Sequence, residues 1–266
     1  PAPSPPTPGG RFTAVTPVRV YATSADTVAG ALAAGGDRVV STATTQDGVT
    51  PVVPAGAEAV AYNITVVRPT AGGHLRVMTG DTASSDSSTI NWTVPGDVIA
   101  NGITVKLDDQ RRIKVHNSAG VPVDFLVDVV GYYSPSGALF YPTDPTRVLD
   151  TRTAQGGEGA IGSGTAEERS VGVGFAAADP HAQQVPAGAT SIAYNLTVTA
   201  PAAAGHLRVR PAGTPLISAS TINWPGPAYT RANATIVAIS PDRQVTIYNG
   251  SSGPADALID TLGYYR

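Results

Sequence analysis

Two groups of side chains in this sequence could act on a ligand, and they are one group present twice: His74, Arg76, Asn91 and Trp92, then His206, Arg208, Asn223 and Trp224. Each is carried by a GHLRV stretch followed by STINW. An imidazole, a guanidinium and a carboxamide supply hydrogen-bond donors and acceptors. An indole beside them supplies a flat apolar face on which a sugar ring or a peptide stacks. Such a set binds a ligand without by itself cleaving or transferring anything. Catalytic arrangements are missing from the sequence: no G-x-S-x-G elbow, no H-E-x-x-H and no glycine-rich phosphate loop leading into a helix. There is no cysteine, which removes thiol nucleophiles, zinc–thiolate sites and disulfides. His74, His116, His181 and His206 are not at metal-ligand spacing. Asp81, Asp86, Asp97, Asp108 and Asp109 could offer calcium ligands from loops, but the second copy keeps few of them. No glutamate is common to both copies, which argues against a duplicated pair of glycosidase carboxylates. The expectation is a non-enzymatic protein with no cofactor and no metal.

The elements that must position these residues are also duplicated. Ala57 to Tyr133 carries AYNITV, GHLRV, STINW, AN and DFLVDVVGYY; Ala189 to Tyr265 carries AYNLTV, GHLRV, STINW, AN and DALIDTLGYY, in the same register without a gap. Roughly two in five positions are identical across this block, a strong repeat signal. The match extends upstream, where FTAVTPVRVYA from Phe12 corresponds to FYPTDPTRVLDT from Phe140. The 266 residues therefore divide into a Pro-rich tail at 1–10, a first repeat domain at 11–134 and a second at 135–266, each long enough to bury its own core.

Within each repeat the apolar residues alternate. Val60, Tyr62, Ile64 and Val66 fall on one face and Ala59, Ala61, Asn63 and Thr65 on the other, the period of a strand. Leu75 and Val77 alternate with His74 and Arg76, and Ile90 and Trp92 alternate with Thr89 and Asn91. Further strands fit 12–22, 38–43, 102–107, 111–116 and 124–130, with counterparts at 140–151 and 169–175. Between them lie short links rich in Gly, Pro, Asn and Asp, too short to contain crossover helices. The fold class is all-β: two tandem homologous antiparallel β-sandwich domains, jelly-roll-like, or two small barrels. The link SPSGAL between them is short, so the pair should pack as one semi-rigid unit.

Most of the repeated polar residues have structural readings. Asp128 lies on the Leu126 and Val130 face of the last strand, where an unpaired carboxylate would be costly, so Arg19 is its expected partner. Arg147 and Asp260 form the equivalent ion pair. Asn63, Asn195, Asn101 and Asn233 should satisfy backbone groups nearby. The GYY endings should close the sandwiches and seal the contact between domains. Asp150-Thr151-Arg152, present only in the second repeat, should order the glycine-rich loop that follows, with contact to a ligand as the alternative. His74, Arg76, His206 and Arg208 point away from the core, where folding alone does not require their identities. Trp92 and Trp224 share a face with Ile90 and Ile222, which favours the core, but they end their strands and leave room for an exposed edge.

A net charge of -3 with interspersed signs offers no basic stripe for nucleic acid. No apolar run approaches the roughly 20 residues of a membrane span. The start PAPSPPTPGG reads as the end left by signal cleavage or as a linker, which points to a secreted or cell-surface location.

The order PTRVLDTR, VPAGATSIAYNLTV, GHLRVRPAG, STINW, AN and DALIDTLGYY resembles a module common in secreted actinobacterial proteins, often in tandem or appended to extracellular hydrolases. The resemblance covers nearly the whole chain after the tail. It implies an exported β-rich accessory domain and brings no catalytic site. The family typically has an apolar or aromatic residue and a threonine at the His and Arg positions, and a smaller aromatic at Trp92 and Trp224. These shared departures direct the functional expectation to GHLRV and STINW. The leading expectation is a secreted two-site binder of carbohydrate on a cell surface or wall, where two weak sites gain avidity on a repetitive polymer. The alternative is a structural or protein-interaction module, such as a surface or coat component or a protease inhibitor.

Overall fold

The computed structural model describes residues 10–157 and 159–266; apart from Gly10, the Pro-rich tail lies outside the described residues. The first repeat forms β1 (Arg11–Ala22), β2 (Asp37–Ser41), β3 (Ala59–Val67), β4 (Gly73–Thr79), β5 (Ile90–Trp92), β6 (Val98–Lys106), β7 (Arg112–Asn117) and β8 (Asp124–Ser134). The second forms β9 (Phe140–Asp150), β10 (Arg169–Gly172), a small hairpin of β11 (Phe175–Ala176) and β12 (Asp179–Gln183), then β13 (Ser191–Thr199), β14 (Gly205–Pro211), β15 (Ile222–Trp224), β16 (Arg231–Ala238), β17 (Gln244–Asn249) and β18 (Asp256–Tyr265).

Alternating β-branched and aromatic residues make these segments strands, and the pairing makes them two sheets per repeat. The orders are β1-β8-β3-β6 and β2-β7-β4-β5 in the first repeat, and β9-β18-β13-β16 and β10-β17-β14-β15 in the second, with every ladder antiparallel. Leaving aside the β11–β12 hairpin, only one link in each repeat, β4 to β5 or β14 to β15, joins strands of one sheet; the other links cross between sheets. That is the jelly-roll winding. The sandwich expectation therefore holds over the barrel, and the two repeats correspond strand for strand apart from the β11–β12 insertion. Strand β6 begins earlier than the sequence suggested, because Val98 to Ala100 continue the ladder opposite Thr65 to Val67. The β1–β8 register slips between Ala14 and Val18, around Pro17, which has no N–H to give the ladder.

Each sandwich closes over its own core. Tyr62, Ile64, Leu75, Ile113 and Phe125 are fully buried in the first, and Tyr194, Leu196, Leu207, Ile222 and Trp224 in the second. Burying one such side chain contributes about 1.5–3 kcal/mol. A third cluster of Phe12, Ala61, Val130 and Tyr265 joins the repeats. Across it the Tyr133 and Tyr265 hydroxyls meet at 3.0 Å, so the GYY endings do take part in the interdomain contact.

The joining is one-sided. Seven consecutive residues of β3, Val60 to Val66, are buried, whereas in the equivalent β13 buried and half-buried residues alternate. The first repeat's outer sheet is covered by the second repeat. The second repeat's equivalent sheet meets the first repeat through its edge strand β16 and through Tyr265, and leaves the rest of its outer face less covered.

Candidate functional site at the repeat junction

The Arg–Asp ties are present in both repeats. Arg19 Nε and Nη2 donate to the two Asp128 carboxylate oxygens at 2.8 and 2.9 Å, and Arg147 makes the same fork to Asp260 at 2.6 and 2.9 Å. Each pair fastens the first strand of its repeat to the last, as Arg19↔Asp128 and Arg147↔Asp260 are ladder partners. Their surroundings differ: the Asp128 side chain is 0% exposed and that of Asp260 23%. Burial pushes the Asp128 carboxyl above the usual range, against the Arg19 fork that favours its charged form. In the second repeat Asp150 also accepts from Arg147 and from Arg152 Nε and Nη2, and its Oδ1 accepts from the Arg152 backbone N–H. Its hydrogen bonds, that from the Arg152 side chain first, hold its carboxyl down at about 2. This network orders the turn after β9, the role expected of Asp-Thr-Arg.

The GHLRV and STINW residues do not assemble as a stacking site. His74, Arg76 and Asn91 share the outer face of the β2-β7-β4-β5 sheet, with His74 opposite Asn91 in the ladder. Trp92 points the other way. Its ring is 4% exposed and that of Trp224 1%, and their Nε1 groups donate to the Ala71 and Ala203 carbonyls at 2.7 and 2.5 Å. The expectation of an indole platform at Trp92 and Trp224 is corrected: the rings lie on the inward face with Ile90 and Ile222 and complete the cores. Asn223 is buried as well.

The histidines and arginines serve the loop between β4 and β5, or between β14 and β15. Arg76 Nε donates to His74 Nε2 at 3.3 Å and Nη1 to the Ser85 carbonyl at 2.8 Å; Arg208 does the same to His206 at 3.0 Å and Ile217 at 2.8 Å. In each repeat the imidazole Nε2 accepts from the arginine and aims its guanidinium at a loop carbonyl. Burial, and then the Arg208 charge, pull His206 down to about 4. Arg208 also lies over the Tyr248 ring at 5.1 Å. At the end of the same loop, the hydroxyls of Thr89 and Thr221 accept from the Val77 and Val209 backbone N–H groups.

In the second repeat this anchored loop is the junction. Ser218 O accepts from Arg19 Nη2 at 3.4 Å, and Ser220 O accepts from Asn63 Nδ2 at 2.7 Å. Asn233 Nδ2 donates to Thr221 O within its own repeat and to Asn63 Oδ1 across the junction, at 2.8 and 2.9 Å; its Oδ1 accepts from the Gly102 N–H. Arg231 makes a fork to both oxygens of buried Asp97, at 3.0 and 2.5 Å, and also donates to the Val98 carbonyl. Gly102 is required by this approach, since a Cβ there would lie 2.4 Å from Ala234 O. Asn63 and Asn233 are therefore structural, as expected, but they act between repeats as well as locally. Asn101 keeps only the local half, donating to Thr89 O, and Asn195 donates to Thr197 Oγ1 alone among the described residues.

Gly102, Tyr229 and Arg231 were not singled out from the sequence, and Asp97 was named there only as a possible calcium ligand, not as an ion-pair partner. The available signal was difference within the repeat: Asp97 is replaced by Tyr229, Ile99 by Arg231 and Gly102 by Ala234 inside an otherwise well-matched block. Two missed core amides, Asn117 and Asn249, are 0% exposed and pin the loop before β8 or β18 through backbone carbonyls.

No group of three or more His, Asp or Glu side chains is placed to hold a metal among the described residues. Among them, no helix is long and apolar enough to cross a membrane. No protein-family model matches the chain, and no curated protein matches it. Solved structures give distant likenesses. The tandem CBM22-1–CBM22-2 domain of Paenibacillus barcinonensis Xyn10C aligns at 12% identity and TM-score 0.25, over 96% of this chain and 99% of that one. The major capsid protein P2 of bacteriophage PM2 aligns at 9% identity and TM-score 0.21, over 96% and 98%. At these values the likenesses carry no argument, and the jelly-roll assignment rests on the strand order.

Proposed function

We propose that this chain is an exported, non-catalytic structural module whose partners are proteins bound through its sheet faces and edges. One observation carries the reading: the polar residues kept in both repeats hold loops and join one domain to the next, and the cleft of about 290 Å³ that Thr89, Asn91 and Asn101 line lies at the junction, shared with Ile222, Arg231 and Ala232 of the second repeat. Two rigid sandwiches joined through buried amides and ion pairs suit a building block better than a pair of independent ligand sites. Export rests on the sequence resemblance to secreted modules.

The test is a photo-crosslinking residue placed at Pro145, exposed on β9 at the position equivalent to Pro17, which lines the junction beside Asn63 and Asp128, in chains displayed in the native extracellular setting. Protein adducts are expected. Adducts that are exclusively polysaccharide would replace this reading with the carbohydrate one.

Carbohydrate is the second reading, and a separate observation favours it. The first repeat has an open cleft of about 390 Å³ lined by Tyr21, Asp26, Ser41, Thr45 and Gln46 among others, a mixture of apolar and hydrogen-bonding groups of the kind a sugar uses. A glycan array separates the two. Saturable binding that Ser41→Glu abolishes would establish the cleft as the site, whereas silence across cell-wall glycans leaves protein as the partner.

A further inference from the structure

The junction between the repeats is heterologous: a sheet face of the first meets an edge and loop of the second. Because the repeats are copies, each carries both surfaces; the second repeat's face is left largely uncovered, and the first repeat's edge is left partly open, its Asn91, Ile99 and Asn101 lining a cleft of about 290 Å³ that Ile222 and Arg231 bound on the other side. The second repeat's open face holds Arg147, Asn195 and Asp260, the equivalents of Arg19, Asn63 and Asp128. The first repeat's open edge holds Asp86, Ser88, Ile99 and Asn101, the equivalents of Ser218, Ser220, Arg231 and Asn233. We propose that a second copy of this chain occupies these surfaces, the β9-β18-β13 face of one chain seating the β5–β6 edge and preceding loop of the next. This rests on the reading of the chain as a protein-binding module and specifies its partner.

Exposure follows the pattern of a missing neighbour. Asn63, Pro17 and Phe12 are buried, while Asn195 is half-buried and Pro145 and Phe140 are exposed, Phe140 to 44%. On the edge side Ser220, Asn223 and Asn233 are buried, while Ser88 and Asn91 are exposed and Asn101 is half-buried.

The open surfaces also match each other. The Asn233–Asn63 bond has its counterpart in Asn101 and Asn195, with Ser88 O placed as acceptor in the manner of Ser220 O. Arg76 already holds the loop in the conformation that Arg208 gives the junction loop. The fully exposed Asp86 side chain stands where Ser218 meets Arg19, and so opposite Arg147 in the next copy. The Asp97–Arg231 ion pair becomes Tyr229 against Ile99, a change of both partners together from charged to apolar; Tyr229 is 38% exposed in the single chain. One residue differs unfavourably. Ala234 replaces Gly102, whose approach leaves no room for a Cβ, so the edge strands of neighbouring copies sit farther apart than β6 and β16. A heterologous contact repeated this way builds a ring if the rotation closes and a filament if it does not.

Sedimentation velocity of the full chain, from micromolar to hundreds of micromolar, reads the association. The expected result is species at multiples of 27.0 kDa that grow with concentration. Asn195→Arg, on the face, and Asn101→Arg, on the edge, each keep the wild-type circular dichroism and each sediment as single chains. Mixed together they form a complex of two chains and no larger, because each retains the surface that the other has lost. A chain that stays at 27.0 kDa throughout overturns the proposal. Association unaffected by both variants, or no complex on mixing, overturns it equally. A protein adduct at Pro145 alongside a monomeric chain would leave the protein-binding reading standing and remove only the second copy.

Discussion

The two Arg–Asp forks offer an internal comparison, since chemistry, ladder position and bond lengths match while cover does not. Asp128→Ala removes the acceptor of two charge-assisted bonds and leaves the Arg19 guanidinium under the second repeat with only the long contact to Ser218 O. Removing one partner of a buried pair costs about 3–5 kcal/mol. Asp260→Ala leaves Arg147 with Asp150 at 3.0 Å and with solvent, and exposed pairs are worth up to about 1 kcal/mol. With a urea slope near 2 kcal/mol per molar for a domain of this size, the first change lowers the midpoint by about 2 M and the second by about 0.5 M or less. The assay is urea unfolding followed by near-ultraviolet circular dichroism and tryptophan emission, with first-repeat and second-repeat transitions assigned from Trp92→Phe and Trp224→Phe chains. Equal losses for the two aspartates, or a larger loss at Asp260, would refute the argument that the second repeat's cover separates them.

Three further outcomes follow from the same geometry. Folding lowers His206 from 6.5 to about 4, so the unfolded chain binds the extra proton in that window and stability falls as pH drops through it, by about 2 kcal/mol at pH 5; His206→Gln should flatten the second repeat's midpoint against pH between 6.5 and 5, and an unchanged slope would assign the dependence elsewhere. Trp224→Ala should cost about 3–5 kcal/mol by opening the core, and the native protein's emission should be blue-shifted and resistant to acrylamide; emission like that of free indole in water would contradict the buried rings. Asn63→Ala should cost about 1–3 kcal/mol, because Asn233 loses its cross-junction acceptor in a buried site, while Asn195→Ala in dilute monomer should fall within about 0.5 kcal/mol; calorimetry that finds the two equal would count against the one-sided junction.

The sequence carried much of the architecture for a physical reason. Strand formation is local: period-two alternation in AYNITV and DFLVDVV and turn residues between them are sufficient to place β3, β8 and their counterparts. The Arg19–Asp128 tie was legible because a carboxylate among apolar residues on a final strand needs a partner, and a matching arginine stood near the start of each repeat. The duplicated block then required two like domains. The inward direction of Trp92 was half legible, since Ile90 shares its face, but the end of a strand gives no local sign of how far the sandwich closes over it.

What the tertiary structure alone decided is which copy of each residue is covered. Asn63 and Asn195, Asp128 and Asp260, and Asn101 and Asn233 are the same residues in the same local sequence, so no local rule could assign them different surroundings. Their burial is set by groups far along the chain, as when Ser220 reaches Asn63 and Arg231 reaches Asp97. The outward histidines and arginines were retained in both repeats for a reason that only contacts could show: each pair holds the carbonyl of a loop, and in one repeat that loop is the seat of its neighbour. Sequence determined two like antiparallel β domains; the strand order made them jelly rolls, and the packing of one against the other distinguished their faces.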